Sequence, residues 1–446
     1  MSQIACLGTH TITGLLSTAG RQFRDWTAGY RLFSHPRFEQ DAIFGTARRD
    51  VLHRLPDDQP LISAIDDSIL RKAGKHTPGV GWRRDPLGPP FQTNLFRAQR
   101  VLQISALLPE GPAARMIPID FQDAPTPAKP RTNDPPECWQ QYDEARRTHN
   151  LNTQAAQRLA ALRHDLDADE PSRHRPLWIS ADGRLTNKPV LRQLPANTVF
   201  IGRIRGDARL YYPPPPLDHP VGRKPSYGLR TPTPEQLLHG HTVPWQEVTV
   251  TVSGQSRTFR IKTIAPVLWR TAGPNKPLRL IVIAPTGYRL RKGSKLLYRQ
   301  PAFLICTNPE LPVQAIVQTY VTRWGIEVNF RGEKQLIGVG QAQVRNAKSV
   351  QAAPALAVAA YSLLLLAAHR AGAGQPDGLQ LPPPKWLERR AEPRSTTADL
   401  KREIRNELWG RGLHAHFCGF SATTTFGPER TETALHLPSA VIYAPQ

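Results

Sequence analysis

Three proline clusters set where regular structure in this chain must stop: DAPTPAKPRTNDPP at 123–136, YPPPPLDHP at 212–220 and LPPPK at 381–385. Proline has a fixed φ and no amide hydrogen, so neither a helix interior nor a central strand passes through such runs. Ahead of the first cluster, residues 1–55 read as helical and basic. LISAIDDS follows, an apolar run ending in paired aspartates, which reads as a buried strand delivering carboxylates at its C-terminal end. GVGW and NLFRAQRVLQISALLP add two strand-like runs. Beyond the cluster, Leu151, Ala155, Leu159, Leu162 and Leu166 recur at helical spacing. PLWISADGRLTN then repeats the earlier pattern, an apolar strand ending in Asp182, with Gly183 expected to permit the exit turn.

From about 206 to 306 the pattern changes to alternating strands. QEVTVTV and RTFRIKT are joined through Ser253-Gly254-Gln255-Ser256, a hairpin-like loop. PLRLIVIA and KLLYRQPAFLIC close the block, joined through a tract from Arg289 to Arg299 that runs into the second of them and holds five cations and no acid. After Ala371 the chain is rich in Gly and Pro, and one more helix is expected at Thr397 to Leu408.

A chain of 446 residues has room for two or three cores, or for one core with a large insertion. Its 58 Lys plus Arg against 36 Asp plus Glu leave a net charge of +22. Such an excess rewards a polyanionic partner, nucleic acid first and an anionic membrane surface second. Cys6, Cys138, Cys306 and Cys418 are far apart without CxxC spacing, which excludes a zinc ribbon or secreted disulfide framework and suits a reducing cytoplasm. The N-terminus has no basic region leading into a sustained apolar core, so no signal peptide is read. The apolar run Ala352 to Ala368 is short and Ala-rich, and a buried helix is expected rather than a membrane span. APTGYRLRKGSK lacks the phosphate-loop spacing and reads as a basic loop, while His414 and His416 have no further ligands at useful spacing. Between Lys188 and Arg230 stand eight cations and two acids, interleaved with Tyr211, Tyr212 and Tyr227.

The segment YVTRWGIEVNFRGEK, Tyr320 to Lys334, carries the sharpest chemistry. At roughly 100° per residue, Tyr320, Arg323, Glu327, Arg331 and Lys334 form one helical stripe within about 80°. Val317, Val321, Trp324 and Val328 occupy the neighbouring arc, and Gly325 and Gly332 lie on that packed side. One reading is a solvated face with ion pairs from Arg323 to Glu327 and from Glu327 to Arg331. The other joins Glu327 to the strand-borne aspartates: three carboxylates bordered by cations suit two Mg²⁺ or Mn²⁺ ions and a phosphodiester.

Tyr320-x2-Arg323-x3-Glu327-x6-Lys334 resembles the Y-R-E-K signature of DDE transposases from bacterial insertion sequences, the insertion-sequence-four-like group. AIDDS is similar to that family's first-Asp motif, D-x-[ST], and ISADGRLTN to its second; GRIRGDARLY resembles the basic strand that follows. The resemblance implies an α/β, RNase H-like mixed sheet flanked by helices, with a β-rich insertion and helical N- and C-terminal regions. The expected division is 1–58, a helical region for binding DNA ends; 59–205 and 307–372 for the two parts of the catalytic core; 206–306 for the insertion; and 373–446 for the C-terminal region. It further implies that Asp66, Asp182 and Glu327 hold two Mg²⁺ or Mn²⁺ ions, with the adjacent Asp67 as the substitute for Asp66. Tyr320, Arg323 and Lys334 would contact DNA phosphates, as would Arg203 and Arg205 on the basic strand; Arg331 joins them by geometry alone. The implied activity is cleavage at terminal inverted repeats and transfer of the 3′-OH ends to target DNA. Its partners would be double-stranded DNA and a second copy in a synaptic homodimer, in the cytoplasm and without a membrane. A DNA-binding descendant that does not cut, and a nuclease without strand transfer, are the alternatives.

Overall fold

The computed structural model describes residues 1–35, 38–85, 88–89, 91–92, 94–111, 113–215, 224–372, 395–410 and 441. The proline cluster at 381–385, His414, His416 and Cys418 lie outside them. Four helices open the chain: α1 (Ser2–Ala5), α2 (Ile12–Thr18), α3 (Thr27–Ser34) and α4 (Gln40–Leu52). Thr11 caps α2 by accepting the Gly14 N–H, and α4 buries Phe44, Ala47 and Val51.

The sheet begins with β1 (Leu61–Arg71), β2 (Val80–Arg84), β3 (Leu95–Glu110) and β4 (Ala113–Asp123). Strand β4, ARMIPIDFQD from Ala114, was not anticipated from the sequence, because Pro118 argues against a strand. The structure accommodates Pro118 beside a register shift of the β3–β4 ladder at Ile104/Ser105. Two helices follow, α5 (Pro136–Thr148) and α6 (Leu151–Ala168). Asn150 caps α6 through the N–H groups of Asn152 and Thr153, and the expected apolar row Ala155, Leu159, Leu162 and Leu166 is buried.

Next come β5 (Leu177–Ala181), α7 (Lys188–Arg192), β6 (Thr198–Arg203) and β7 (Leu210–Tyr211). Strand β1 runs antiparallel to β3 and parallel to β5, β3 is antiparallel to β4, and β5 is parallel to β6. This order, β4-β3-β1-β5-β6 flanked by helices, is the mixed α/β arrangement of an RNase H-like fold.

Helix α8 (Pro234–His239) leads into β8 (Gln246–Val252), β9 (Gln255–Trp269) and β10 (Gly273–Ile283). The β8–β9 turn is the two-residue Ser253-Gly254, both with positive φ, the geometry that matches strand twist. The small ladder of β11 (Gly287–Tyr288) and β12 (Leu297–Tyr298) starts just before the basic tract and closes within it, and β13 (Ala302–Cys306) returns to the sheet. Strand β13 pairs with both β6 and β10, so the strands of this block continue the same 11-stranded sheet.

The chain then forms α9 (Val313–Thr322), α10 (Trp324–Gln335), α11 (Ala347–Gly372) and α12 (Thr397–Arg405). By length and composition α11 could cross a membrane, but 72% of its apolar window is buried in this fold. It packs on β4 and α4, as expected for a core helix.

Candidate active site

Strand β1 does not end at its aspartates. It pairs with β3 as far as Arg71, whereas its parallel neighbour β5 stops at Ala181, opposite Ile65. Asp66 and Asp182 are therefore the next residues on two adjacent strands, placed where the ladder opens. Side chains alternate along a strand, so Asp66 and Asp67 face opposite sides of the sheet.

The Asp66 side is the one that α10 covers. Ala64, two residues before Asp66, packs with Met116, Ile326 and Phe330. Arg323 donates to Asp66 Oδ2 at 3.2 Å and to Glu327 Oε1 at 2.8 Å, so one guanidinium joins the first strand to the helix. Two residues beyond Asp66, Ser68 Oγ receives a 2.6 Å hydrogen bond from Lys334 Nζ. Arg323 and Lys334 are thus tied to the same face of β1.

Asp67 faces the other way. Its carboxylate lies 3.3 Å from Arg100 and 3.3 Å from Arg184, and its side chain is 7% exposed. It cannot join Asp66, Asp182 and Glu327 on one face without turning the strand over.

Asp182 sits in a turn built by its own carboxylate. Oδ1 accepts the N–H groups of Arg184 and Leu185, and the Asp182 carbonyl accepts Thr186 Oγ1 at 2.7 Å. The expectation that Gly183 enables this turn is corrected: Gly183 has no positive φ, so side-chain hydrogen bonds make the turn instead. Gly202 on β6 is the glycine that matters, since a Cβ there would stand 2.2 Å from Thr186 Oγ1. Arg203 follows it, exposed at the same sheet edge and bonded at 3.4 Å to the Pro301 carbonyl. Arg205 is also exposed but engaged by both oxygens of Asp207 at 2.9 Å.

The single helix expected for Tyr320 to Lys334 is two helices meeting at Arg323. Val317 is buried as expected, but Trp324 is 61% exposed, because the break swings it out of the packed arc. Gly325 and Gly332 do allow close approach: a Cβ at Gly325 would meet Met116 Cγ at 2.5 Å, and one at Gly332 the Tyr361 hydroxyl at 3.0 Å. Of the two ion pairs considered, Arg323–Glu327 forms, while Arg331 is exposed without one to Glu327. Tyr320 lies half-buried with its ring 5.9 Å from the Arg323 guanidinium.

Sequence reasoning missed the layer beneath this helix. Buried Glu333 accepts from Gln103 Nε2 at 2.9 Å; Gln103 also reaches Ser105 Oγ, which Asn329 Nδ2 contacts at 3.2 Å. Gln103 is the cross-strand partner of Asp66, so the network joins the floor of the site to α10. A glutamate and an asparagine on the apolar side of the helical wheel were the available signal.

Electrostatics fit a hard cation. Burial, then the charge of Asp182, pushes the Asp66 carboxyl up to about 7, against the opposing pull of Arg323. A poorly solvated carboxylate repelled by its neighbour is an oxygen donor set short of positive charge. Among the described residues no three acidic, histidine or cysteine side chains are already gathered tightly enough to hold an ion. The guanidinium of Arg323 stands between Asp66 and Glu327 and draws on the oxygens an ion would use.

A search of the curated proteins finds no match. The model of the DDE superfamily endonucleases matches residues 1–271, a stretch that includes Asp66 and Asp182 and stops before Glu327. That family's enzymes act on DNA and generally use divalent metals such as Mg²⁺ or Mn²⁺. With more than half of its length matched, and with an RNase H-like sheet that sets two aspartates side by side, the chain belongs to the DDE superfamily endonucleases.

Proposed function

We propose that this endonuclease is an insertion-sequence transposase of the Y-R-E-K group. It would bind the terminal inverted repeats of its element, cleave the ends and transfer the 3′-OH ends to target DNA. The observation that carries the reading is the joining of Asp66 to Glu327 through Arg323, on the face of the sheet edge where Asp182 also lies. Asp66, Asp182 and Glu327 are the metal-holding residues in this reading. Bound Mg²⁺ or Mn²⁺ would activate the attacking oxygen and stabilise the leaving one.

The protein's own side chains have distinct tasks. Arg323 holds Asp66 and Glu327 together, and with those carboxylates engaged by a cation its guanidinium would be available to a DNA phosphate. Lys334 is held above Ser68 with its ammonium half-buried, positioned for a second phosphate. Tyr320, Arg203, Arg205 and Arg331 also contact DNA phosphates in this reading, and the three arginines are exposed. In this reading 1–58 assists end binding, 59–205 and 307–372 form the catalytic core, 206–306 is its insertion, and 373–446 the C-terminal region. The protein works in the cytoplasm as a homodimer that pairs two ends.

Purified protein incubated with Mg²⁺ or Mn²⁺ and labelled element ends tests this. Cleavage at the ends followed by joining supports the proposal. Nicking indifferent to sequence indicates a nuclease without strand transfer, and binding without cutting in either metal removes the catalytic assignment. Short inverted repeats flanked by direct repeats around the coding region would identify the mobile element independently.

A further inference from the structure

The reverse face of the same sheet edge carries a second concentration of charge. Among the described residues Asp67, opposite in direction to Asp66, is the carboxylate that pairs with Arg100 and Arg184 there. Arg83 belongs to the same group by proximity, and its buried Nε and Nη2 have no hydrogen-bond partner. Three guanidinium groups meet Asp67 here, with Asp123 also acting on Arg83, which leaves one more cation than carboxylates and donors unused.

That excess continues into open space. A cleft of about 480 Å³ is lined by Arg100, Arg146 and Arg184, with Pro189 and the first residues of α6. A contiguous one of about 490 Å³, sharing Arg146, Asn150 and Pro189, adds Arg147, Lys188 and Arg192. Among the described residues no acidic side chain lines either cleft. The cations come from separate elements, namely the end of α5, the strand β3, the turn after β5 and helix α7. Their convergence is therefore a property of the fold.

We infer that this α5–α7 cleft is a second DNA-binding track, which grips a duplex phosphate backbone on the face of the sheet opposite the Asp66 carboxylate. The inference rests on the proposal that the substrate is DNA, and it adds where the duplex runs after it leaves the catalytic edge. A row of exposed arginines and a lysine along two joined clefts suits successive backbone phosphates and counterion release.

Arg146 and Arg147 are the residues to test, because both are exposed and neither forms an ion pair among the described residues. Arg146→Glu, Arg147→Glu and the double variant are compared with Arg173→Glu, a control ahead of the opposite end of β5. Binding of a fluorescent duplex is followed by anisotropy across a salt series without metal, with unfolding curves confirming the fold. The double variant should lose about 10-fold or more in affinity, and its slope of log K against log salt should shrink by about 0.9 for each phosphate contact removed. Affinity and slope equal to those of the Arg173→Glu control overturn the inference. Displacement of the duplex from wild type by a mononucleotide at equal phosphate concentration also overturns it, because the cleft would then be a small-anion pocket. A protein that shows the predicted slope change but never cuts DNA keeps this track and loses the transposase reading. One that cuts normally with an unchanged slope loses the track alone, and one that binds no duplex loses both.

Discussion

Arg323 lies between Asp66 and Glu327, 3.2 Å from the first and 2.8 Å from the second, with Asp66 and Arg323 each only 14% exposed at the side chain. The pair of contacts makes α10 and β1 one electrostatic unit. Glu327→Gln keeps the shape and removes the charge, so DNA cleavage should fall at least about 100-fold, equivalent to about 3 kcal/mol at the barrier. Duplex binding should change less than about 3-fold. Retained cleavage in a gel assay would remove Glu327 from the ligand set.

The two adjacent aspartates should separate function from stability. Asp66→Asn is expected to abolish cleavage with little loss of folding stability, since it relieves the repulsion from Asp182. Asp67→Asn breaks a largely buried pairing to Arg100, with Arg184 exposed on its far side. A loss of about 1–3 kcal/mol is expected, read by chemical denaturation. Equal loss of cleavage and no loss of stability in the Asp67 variant would reverse the assignment of the two faces.

Stability should depend on pH through Glu333. Burial pushes its carboxyl from the ordinary 4.5 up to about 8, so the folded protein holds this proton more tightly than the unfolded chain. The contribution is fully present below the ordinary value and is lost as pH rises through about 8. Melting temperatures of wild type and Glu333→Gln, measured between about pH 5 and pH 9, should diverge in favour of the variant at the alkaline end. Parallel curves would show that Glu333 is not protonated in the fold.

Gly202 and Thr186 support Asp182 by contact. A Cβ at position 202 would collide with Thr186 Oγ1 and stand 2.6 Å from Phe200 Cε1. Gly202→Ala should cost about 1–3 kcal/mol by overpacking and lower the cleavage rate by moving the Asp182 turn. Cleavage and stability both unchanged would show that Thr186 yields without disturbing Asp182.

Much of this protein is legible in one dimension. The apolar run at LISAI, the PLWISA strand and the row from Leu151 to Leu166 announce themselves because burial imposes period and composition on local sequence. The Arg323–Glu327 pair was legible too, as helical spacing gathers residues four apart, but the break between α9 and α10 at Arg323 was not. Strand β4 was not, since the ladder register that accommodates Pro118 depends on β3. Nor was Gly202 legible as part of the Asp182 turn, because its partner Thr186 reaches it only across the sheet.

What the sequence by itself determined was the list of carboxylates and cations and the local elements that carry them. Which aspartate faces Glu327 was decided only by the tertiary structure, through the pleat of β1 and the side on which α10 packs. The end of β5 at Ala181 places Asp182 beside Asp66, and the break at Arg323 aims one guanidinium at two carboxylates. The same pleat sends Asp67 into the arginines of the reverse face. Period-two alternation is local, but the identity of each face is set by what covers it, and that is a long-range fact.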